Sequence, residues 1–203
     1  MLTSITPLGE WGRGQRYTVT FTALLLGSTA AGAAIGTVAA TGGAILARLF
    51  ELSDSARLLL LASAIALGVV IDLAGQLRRI PSVHRQVNER WLDVYRGWVY
   101  GGGFGVQLGL GIATVVTTAG VYVVLAACFL SPTPLVGMIV GGAFGLVRAL
   151  TVLPASVVRD PLALQRLGAG IVRWRAPVRI IATATDVTAG LLVAFVAALQ
   201  IMN

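Results

Sequence analysis

The amino-acid sequence predicts an all-α fold, a polytopic bundle of transmembrane helices formed by residues 1–203 as a single domain. Apolar residues make up 57% of the chain and charged residues only 11%, a composition outside the range of water-soluble domains. About 20 residues suffice for a helix to cross the hydrocarbon core of a bilayer. Five apolar stretches meet this length, at residues 18–48, 57–75, 98–129, 134–153 and 178–201.

The first and third stretches are longer than one crossing requires. Two explanations stay open: these helices tilt and project beyond the membrane, or they break at glycines. The glycines concerned are Gly27, Gly32, Gly36, Gly42 and Gly43 in the first stretch, and those from Gly101 to Gly111 in the third.

The distribution of arginine predicts the orientation. Arginine is concentrated in the connections 76–97 and 154–177, and basic connections stay on the cytoplasmic side during insertion. The connection 130–133 has no charge and the connection 49–56 contains two acidic residues, so both are expected outside. About five spans then give a cytoplasmic amino terminus and an external carboxyl terminus in the cytoplasmic (inner) membrane of a bacterial-type cell.

Two further patterns concern the connections and the stretches themselves. Residues 81–97 carry apolar and charged residues on opposite sides at helical spacing, which predicts an amphipathic cytoplasmic helix on the membrane surface or a target site for another protein. Matches such as Gly32 with Gly109 recur at an offset of 77 residues. Either an internal duplication or chance similarity between apolar sequences accounts for them.

The candidate functional residues are polar positions inside apolar stretches. Asp186 lies within the last stretch, where an aspartate costs about 2.5–3.5 kcal/mol on insertion scales. Arg148 in the fourth stretch is expected at a similar depth and is a candidate ion-pair partner. Gln107 and Asp72 fall in the same half of the membrane. These four residues form either the wall of a polar cavity for a solute or proton, or a structural salt bridge near the headgroups.

Glycines spaced one helical turn apart are expected to mark close helix contacts or, alternatively, flexible transport segments. The clearest pairs are Gly32 with Gly36 and Gly105 with Gly109.

No pattern points to catalysis. Cys128 and His84 are the only cysteine and the only histidine, which leaves too few ligands for an ordinary metal site. We therefore expect no enzyme activity, no catalytic residue, no metal and no cofactor. The expected partners are the lipid bilayer and a membrane or cytoplasmic protein bound through the 76–97 and 154–177 loops. The net charge of +7 is attributed to arginines flanking the membrane and not to nucleic-acid binding.

The runs Gly103–Thr114 and Gly142–Leu150 resemble the cytochrome c biogenesis CcdA / DsbD transmembrane family. The resemblance covers residues 18–201 and implies that family's second to sixth helices, with a cytoplasmic start and an external end. That family moves reducing equivalents through two intramembrane cysteines. Gly111 stands where the third stretch would carry one of them, and the other would fall in an absent helix, so the resemblance implies the scaffold without its thiol redox centre.

Three functions follow from these patterns. The first is transport of a small solute or ion at the Asp186, Arg148 and Gln107 region. The second is a non-catalytic membrane subunit that anchors or assembles a partner complex. The third is a thiol-redox membrane protein that recruits thiols from elsewhere.

Overall fold

The computed structural model describes residues 5–74, 94–111 and 119–202, and these residues form helices with no β-strand among them. The predicted all-α fold is confirmed. In chain order the elements are α1 (Pro7–Gly12), α2 (Tyr17–Leu49), α3 (Asp54–Leu73), α4 (Gly97–Gly109), α5 (Gly120–Phe129), α6 (Pro134–Leu150), a 3-10 turn (Leu153–Val157) and α7 (Pro161–Met202).

Four segments within the described ranges are helical, long and apolar enough to cross a membrane: Tyr17–Leu49, Asp54–Leu73, Pro134–Val157 and Ile180–Ile201. Only 6% to 28% of the most apolar part of each is buried inside the protein. Most of their apolar side chains therefore face outward, an arrangement that water disfavours and lipid tails accommodate. The chain is an integral membrane protein. The count of about five spans and the predicted orientation remain predictions.

The third apolar stretch, predicted as a span over 98–129, contains two described helices, and residues 112–118 between them lie outside the described part of the chain. Helix α4 ends at Gly109 and α5 begins at Gly120. Between them Gly111 has a φ of +74°, in the left-handed region that ends a right-handed helix.

The first stretch is one unbroken helix. α2 contains 33 residues, which corresponds to about 50 Å of helix. This length exceeds the hydrocarbon core of about 30 Å, so α2 tilts or projects beyond it. Its glycines do not break it, and they lie instead against neighbouring helices.

Helix α2 packs along α4 in the parallel direction. A Cβ added at Gly101 would lie 2.4 Å from the carbonyl oxygen of Thr20, and one at Gly109 would lie 2.1 Å from that of Ser28. Residue numbers therefore rise together along both helices. The contact between Gly43 and Phe129 continues the same direction into α5, so α4 and α5 together follow α2 along its length.

Helix α6 also packs on α2 and runs antiparallel to it. Gly32 lies against Gly141 and Gly36 lies against Gly137, so numbers rise along one helix and fall along the other. Added Cβ atoms at Gly32 and Gly36 would lie 2.2 and 2.1 Å from the facing carbonyl oxygens. Glycine is required for this approach because any other residue would push the helices apart.

Helix α7 packs on α3, also antiparallel, with Gly190 beside Ile65. It contains 42 residues, with Pro177 inside it. The segment 154–177, predicted as a connecting loop, is thus helical from Pro161 onward. The predicted amphipathic helix at 81–97 lies outside the described residues except for residues 94–97.

Candidate functional site: the interrupted helix

The carboxyl end of α4 is contacted by Arg148 from α6. The guanidinium Nη1 donates to the carbonyl oxygen of Gly111 at 3.3 Å, and the guanidinium carbon lies 5.4 Å from the centre of the Phe144 ring. The last carbonyl groups of a helix lack partners within it and carry partial negative charge. A cation beside the carbonyl of Gly111, two residues after the last residue of α4, therefore interacts favourably with the negative end of this helix.

The amino end of α5 is contacted by Asp72 from α3. Its Oδ1 accepts a hydrogen bond from the backbone N–H of Ala119 at 2.8 Å. Ala119 is the residue that precedes the first turn of α5, where N–H groups lack helical partners and carry partial positive charge. The negative Asp72 thus lies at the positive end of α5, as the positive Arg148 lies at the negative end of α4.

These two contacts explain why charged residues occur in an apolar bundle. A break in a membrane helix frees backbone groups, and in hydrocarbon each unsatisfied group costs several kcal/mol. Arg148 satisfies a carbonyl before the break and Asp72 satisfies an N–H after it. The pair therefore compensates for part of the cost of the interruption.

Gly111 is required at the break for two reasons. Its φ of +74° is strained for any residue with a side chain. An added Cβ would also lie 3.0 Å from Cγ1 of Val121 and 3.3 Å from Cε1 of Phe144. Both the backbone conformation and the available space therefore disfavour a residue with a side chain at this position.

Asp186 lies on α7 beside the same region. Its side chain is half-buried and lines a groove of about 510 Å³ between α3 and α7, together with apolar side chains and Ser63. Asp72 lies near the end of α3, the helix on which α7 packs. Within residues 5–74, 94–111 and 119–202 the Asp186 carboxylate makes no hydrogen bond or ion pair.

The structure brings some of the predicted site residues together and separates others. Asp72 and Arg148 lie at the two ends of the break, and Asp186 lies near Asp72. Arg148 and Asp186 do not form the expected ion pair, since α7 packs on α3 whereas α6 packs on α2, α4 and α5. Gln107 is half-buried on α4, two residues before its end.

A second polar cluster, which sequence reasoning missed, surrounds Glu10. This glutamate is fully buried, and its Oε2 accepts hydrogen bonds from the hydroxyls of Thr20 at 2.6 Å and Tyr100 at 2.5 Å. Its Oε1 pairs with Arg13 at 2.7 Å. The spacing of Glu10 and Arg13, one helical turn apart, was the available signal, but nothing in the sequence relates either residue to Tyr100.

Arg13 is charged within this cluster. Burial disfavours its charged form, but the hydrogen bond and the negative charge of Glu10 outweigh burial and hold the pKa of Arg13 above its usual value. The guanidinium also lies 5.8 Å from the centre of the Tyr100 ring, within range of a cation–π contact. Glu10 and Arg13 therefore form an ion pair that is largely screened from water.

The remaining predicted residues lie at helix contacts. An added Cβ at Gly105 would lie 2.3 Å from the carbonyl oxygen of Leu24, so this glycine, like Gly109, faces the backbone of α2. Cys128 is buried between α5 and α6, and its thiol lies 3.7 Å from the carbonyl oxygen of Gly137.

Comparison of the chain with protein-family models, with curated proteins and with solved structures found no match. The resemblance to the CcdA / DsbD transmembrane family therefore stays a prediction.

Proposed function

We propose that this integral membrane protein moves a small ion or solute across the cytoplasmic membrane at the interrupted α4–α5 helix. The observation that carries the proposal is a membrane helix broken at Gly111 with Arg148 and Asp72 bound to its two ends. In many transporters, discontinuous helices supply the backbone dipoles and charged groups that bind a substrate within the bilayer.

The charges near the break favour a proton or small cation as the transported species. Asp72 near the end of α3 and Asp186 on the facing helix α7 are both carboxylates, and within the described part of the chain Asp186 has no hydrogen-bond or ion-pair partner. A proton or a small cation bound at Asp186 would neutralise its charge. Carboxylates within membrane segments are costly, and they commonly serve ion and proton pathways. The groove between α3 and α7 gives Asp186 access from outside the bundle.

The experiment is flux into proteoliposomes, measured with a pH-sensitive dye for protons and with radioactive tracers for sodium and potassium. We expect the wild-type protein to carry one of these ions down an imposed gradient. Asp186→Asn should reduce the flux at least tenfold, because the amide can neither ionise nor bind a proton. Helical content and elution from size exclusion should stay unchanged.

The matched control is Asp54→Asn, at the start of α3. The Asp54 side chain is 81% exposed and makes only a long contact of 3.9 Å with Arg57. Flux should be unaffected by this change. Wild-type flux in Asp186→Asn, or no flux of any of the three ions in the wild type, would contradict the proposal.

A second function, anchoring of a partner protein, is favoured by the first half of α7. Arg166, Arg173 and Trp174 are exposed there, and nothing lies within 4 Å of Cβ atoms added at Gly168 or Gly170. The exposed Arg166, Arg173 and Trp174 therefore give this half of the helix a basic surface.

Arg166→Gln combined with Arg173→Gln separates the two functions. If anchoring is the function, the double variant should lose a complex that purifies with the wild-type protein from native membranes, whereas Asp186→Asn should retain it. If transport is the function, the double variant should keep its flux.

A further inference from the structure

The segment Ile5–Gly12 packs into one end of the helix bundle. Ile5 is only 5% exposed and belongs to a buried apolar cluster with Leu24, Tyr100, Phe104 and Ala149. These residues come from the beginning of α2, the beginning of α4 and the end of α6. The segment, called the plug below, thus fills the space where three helices meet, at the end of the bundle predicted to face the cytoplasm.

Hydrogen bonds attach the plug to α2, to α4 and to the segment that follows the 3-10 turn. Glu10 accepts from Thr20 on α2 and from Tyr100 on α4. The N–H of Leu8 donates to the carbonyl oxygen of Val158, just after the 3-10 turn that follows α6, at 3.3 Å. The plug therefore joins the two sides of the bundle end, and Glu10 makes the connections to α2 and α4.

The position of the plug relates it to the break. Ala149, which is fully buried in the plug cluster, directly follows Arg148, whose guanidinium contacts Gly111. On α4, Tyr100 and Phe104 contact the plug cluster, and Leu108 continues this packing toward Gly111. The plug therefore covers the end of the bundle from which α4 runs toward Gly111.

Glu10 connects the plug to the bundle through the hydroxyls of Thr20 and Tyr100, while its charge is paired with Arg13 at 2.7 Å. Arg13 directly follows the plug in the chain, so this ion pair moves with the plug and the carboxylate keeps a charged partner. Release of the plug therefore requires the loss of two hydrogen bonds from Glu10 and one from Leu8, and not the exposure of an unpaired charge.

We infer that the plug is a gate that closes one end of the α2–α4–α6 bundle beneath the interrupted helix, and that Glu10 is its latch. The role as a gate rests on the proposed transport function, whereas the closure itself does not. Release of Glu10 from Thr20 and Tyr100 opens the path toward Arg148.

The test of closure is the labelling rate of a cysteine at Ala149 by a polar maleimide, in the full chain with Cys128→Ala as background. Ala149 is fully buried, so Ala149→Cys should react slowly. Adding Glu10→Ala should raise the rate at least tenfold. The control Asp54→Ala, which removes an exposed carboxylate at a distant site, should leave the rate unchanged.

A cross-link supplies the reverse experiment. Cysteines replacing Leu8 and Val158, whose backbones are hydrogen bonded, should form a disulfide on oxidation and hold the plug in place. In the Glu10→Ala background this cross-link should return labelling at position 149 to the slow rate. If Glu10→Ala does not fold, Tyr100→Phe removes a single bond to the latch and should raise labelling two- to fivefold.

Each result bears on the inference separately from transport. Unchanged labelling in folded Glu10→Ala, or in Tyr100→Phe where Glu10→Ala does not fold, overturns the latch. Flux that persists at the wild-type rate with the 8–158 cross-link closed overturns the gate. Absence of flux in the wild type, combined with the expected labelling pattern, overturns the proposed transport and leaves the closure by Glu10 established.

Discussion

Replacement of Gly36 by alanine tests the contact between α2 and α6. The added Cβ would lie 2.1 Å from the carbonyl oxygen of Gly137 and 3.1 Å from the Cα of Gly141. Both neighbours are backbone atoms of a facing helix, so no side-chain rotation can relieve the overlap. Ordinary van der Waals contact begins near 3.4 Å, which requires the helices to separate by about 1.3 Å at this point.

The size of the effect follows from this separation. Overpacking of a tightly packed interface costs roughly 1–3 kcal/mol, and a gap of 0.5–1 Å already forfeits about a quarter to a half of the dispersion energy of each contact. Alanine at an uncrowded helical position gains up to about 1 kcal/mol over glycine. Gly102, with no atom within 4 Å of an added Cβ, is the matched control. We expect Gly36→Ala to be less stable than Gly102→Ala by about 2–4 kcal/mol.

The assay is equilibrium unfolding in mixed micelles, with the fraction of sodium dodecyl sulfate raised and tryptophan fluorescence recorded. The free energy of unfolding of both variants is compared with that of the wild type under the same conditions. Equal stability of Gly36→Ala and Gly102→Ala, within about 0.5 kcal/mol, would refute the close packing of α2 on α6 and with it the reasoning from backbone contact.

Three further predictions concern the break and the orientation. Gly111→Ala should lower the free energy of unfolding by about 1–3 kcal/mol more than Gly14→Ala does. Both glycines have a positive φ, but only at Gly111 would the added Cβ meet a neighbour, Val121, at 3.0 Å. Similar losses of stability in the two variants would contradict this close contact with Val121. Asp72→Ala should lower the free energy of unfolding by about 0.5–2 kcal/mol in the same assay. Asp72→Asn should keep most of the stability, because its amide oxygen still accepts the hydrogen bond from the N–H of Ala119. Equal losses in the two variants would mean that the charge of Asp72, and not its hydrogen bond, stabilises the protein. Reporter tags at the two chain ends should lie in opposite compartments, and tags on the same side would refute five crossings.

Much of the helical architecture was predictable because hydropathy and helix formation are local properties. The first apolar stretch, expected over 18–48, is observed as Tyr17–Leu49. The fourth, expected over 134–153, is observed as Pro134–Leu150 followed by the 3-10 turn. Each segment satisfies its own backbone hydrogen bonds and turns its apolar side chains toward lipid, so its neighbours hardly alter the outcome.

The candidate site was predictable only as a set of unusual residues. Asp72, Arg148 and Asp186 were identified because charge is costly in an apolar stretch. Their partners could not be identified, because Arg148 and Asp72 bind backbone atoms of Gly111 and Ala119, and every residue carries such atoms. A search for complementary side chains therefore pointed to an Arg148–Asp186 pair that the packing of α7 on α3 does not permit.

The sequence by itself determined that this chain is helical and resides in a membrane, since composition and the length of its apolar stretches depend on no distant contact. The tertiary structure alone decided where a helix breaks, which charges stabilise the break, and that Glu10 is buried against Tyr100, 90 positions away. The physical reason is the range of the interactions. Solvation acts on each residue individually, so its effect can be read from the local sequence. Hydrogen bonds and close backbone contacts require two atoms within a few ångströms of each other, and only the folded arrangement of the helices sets those distances.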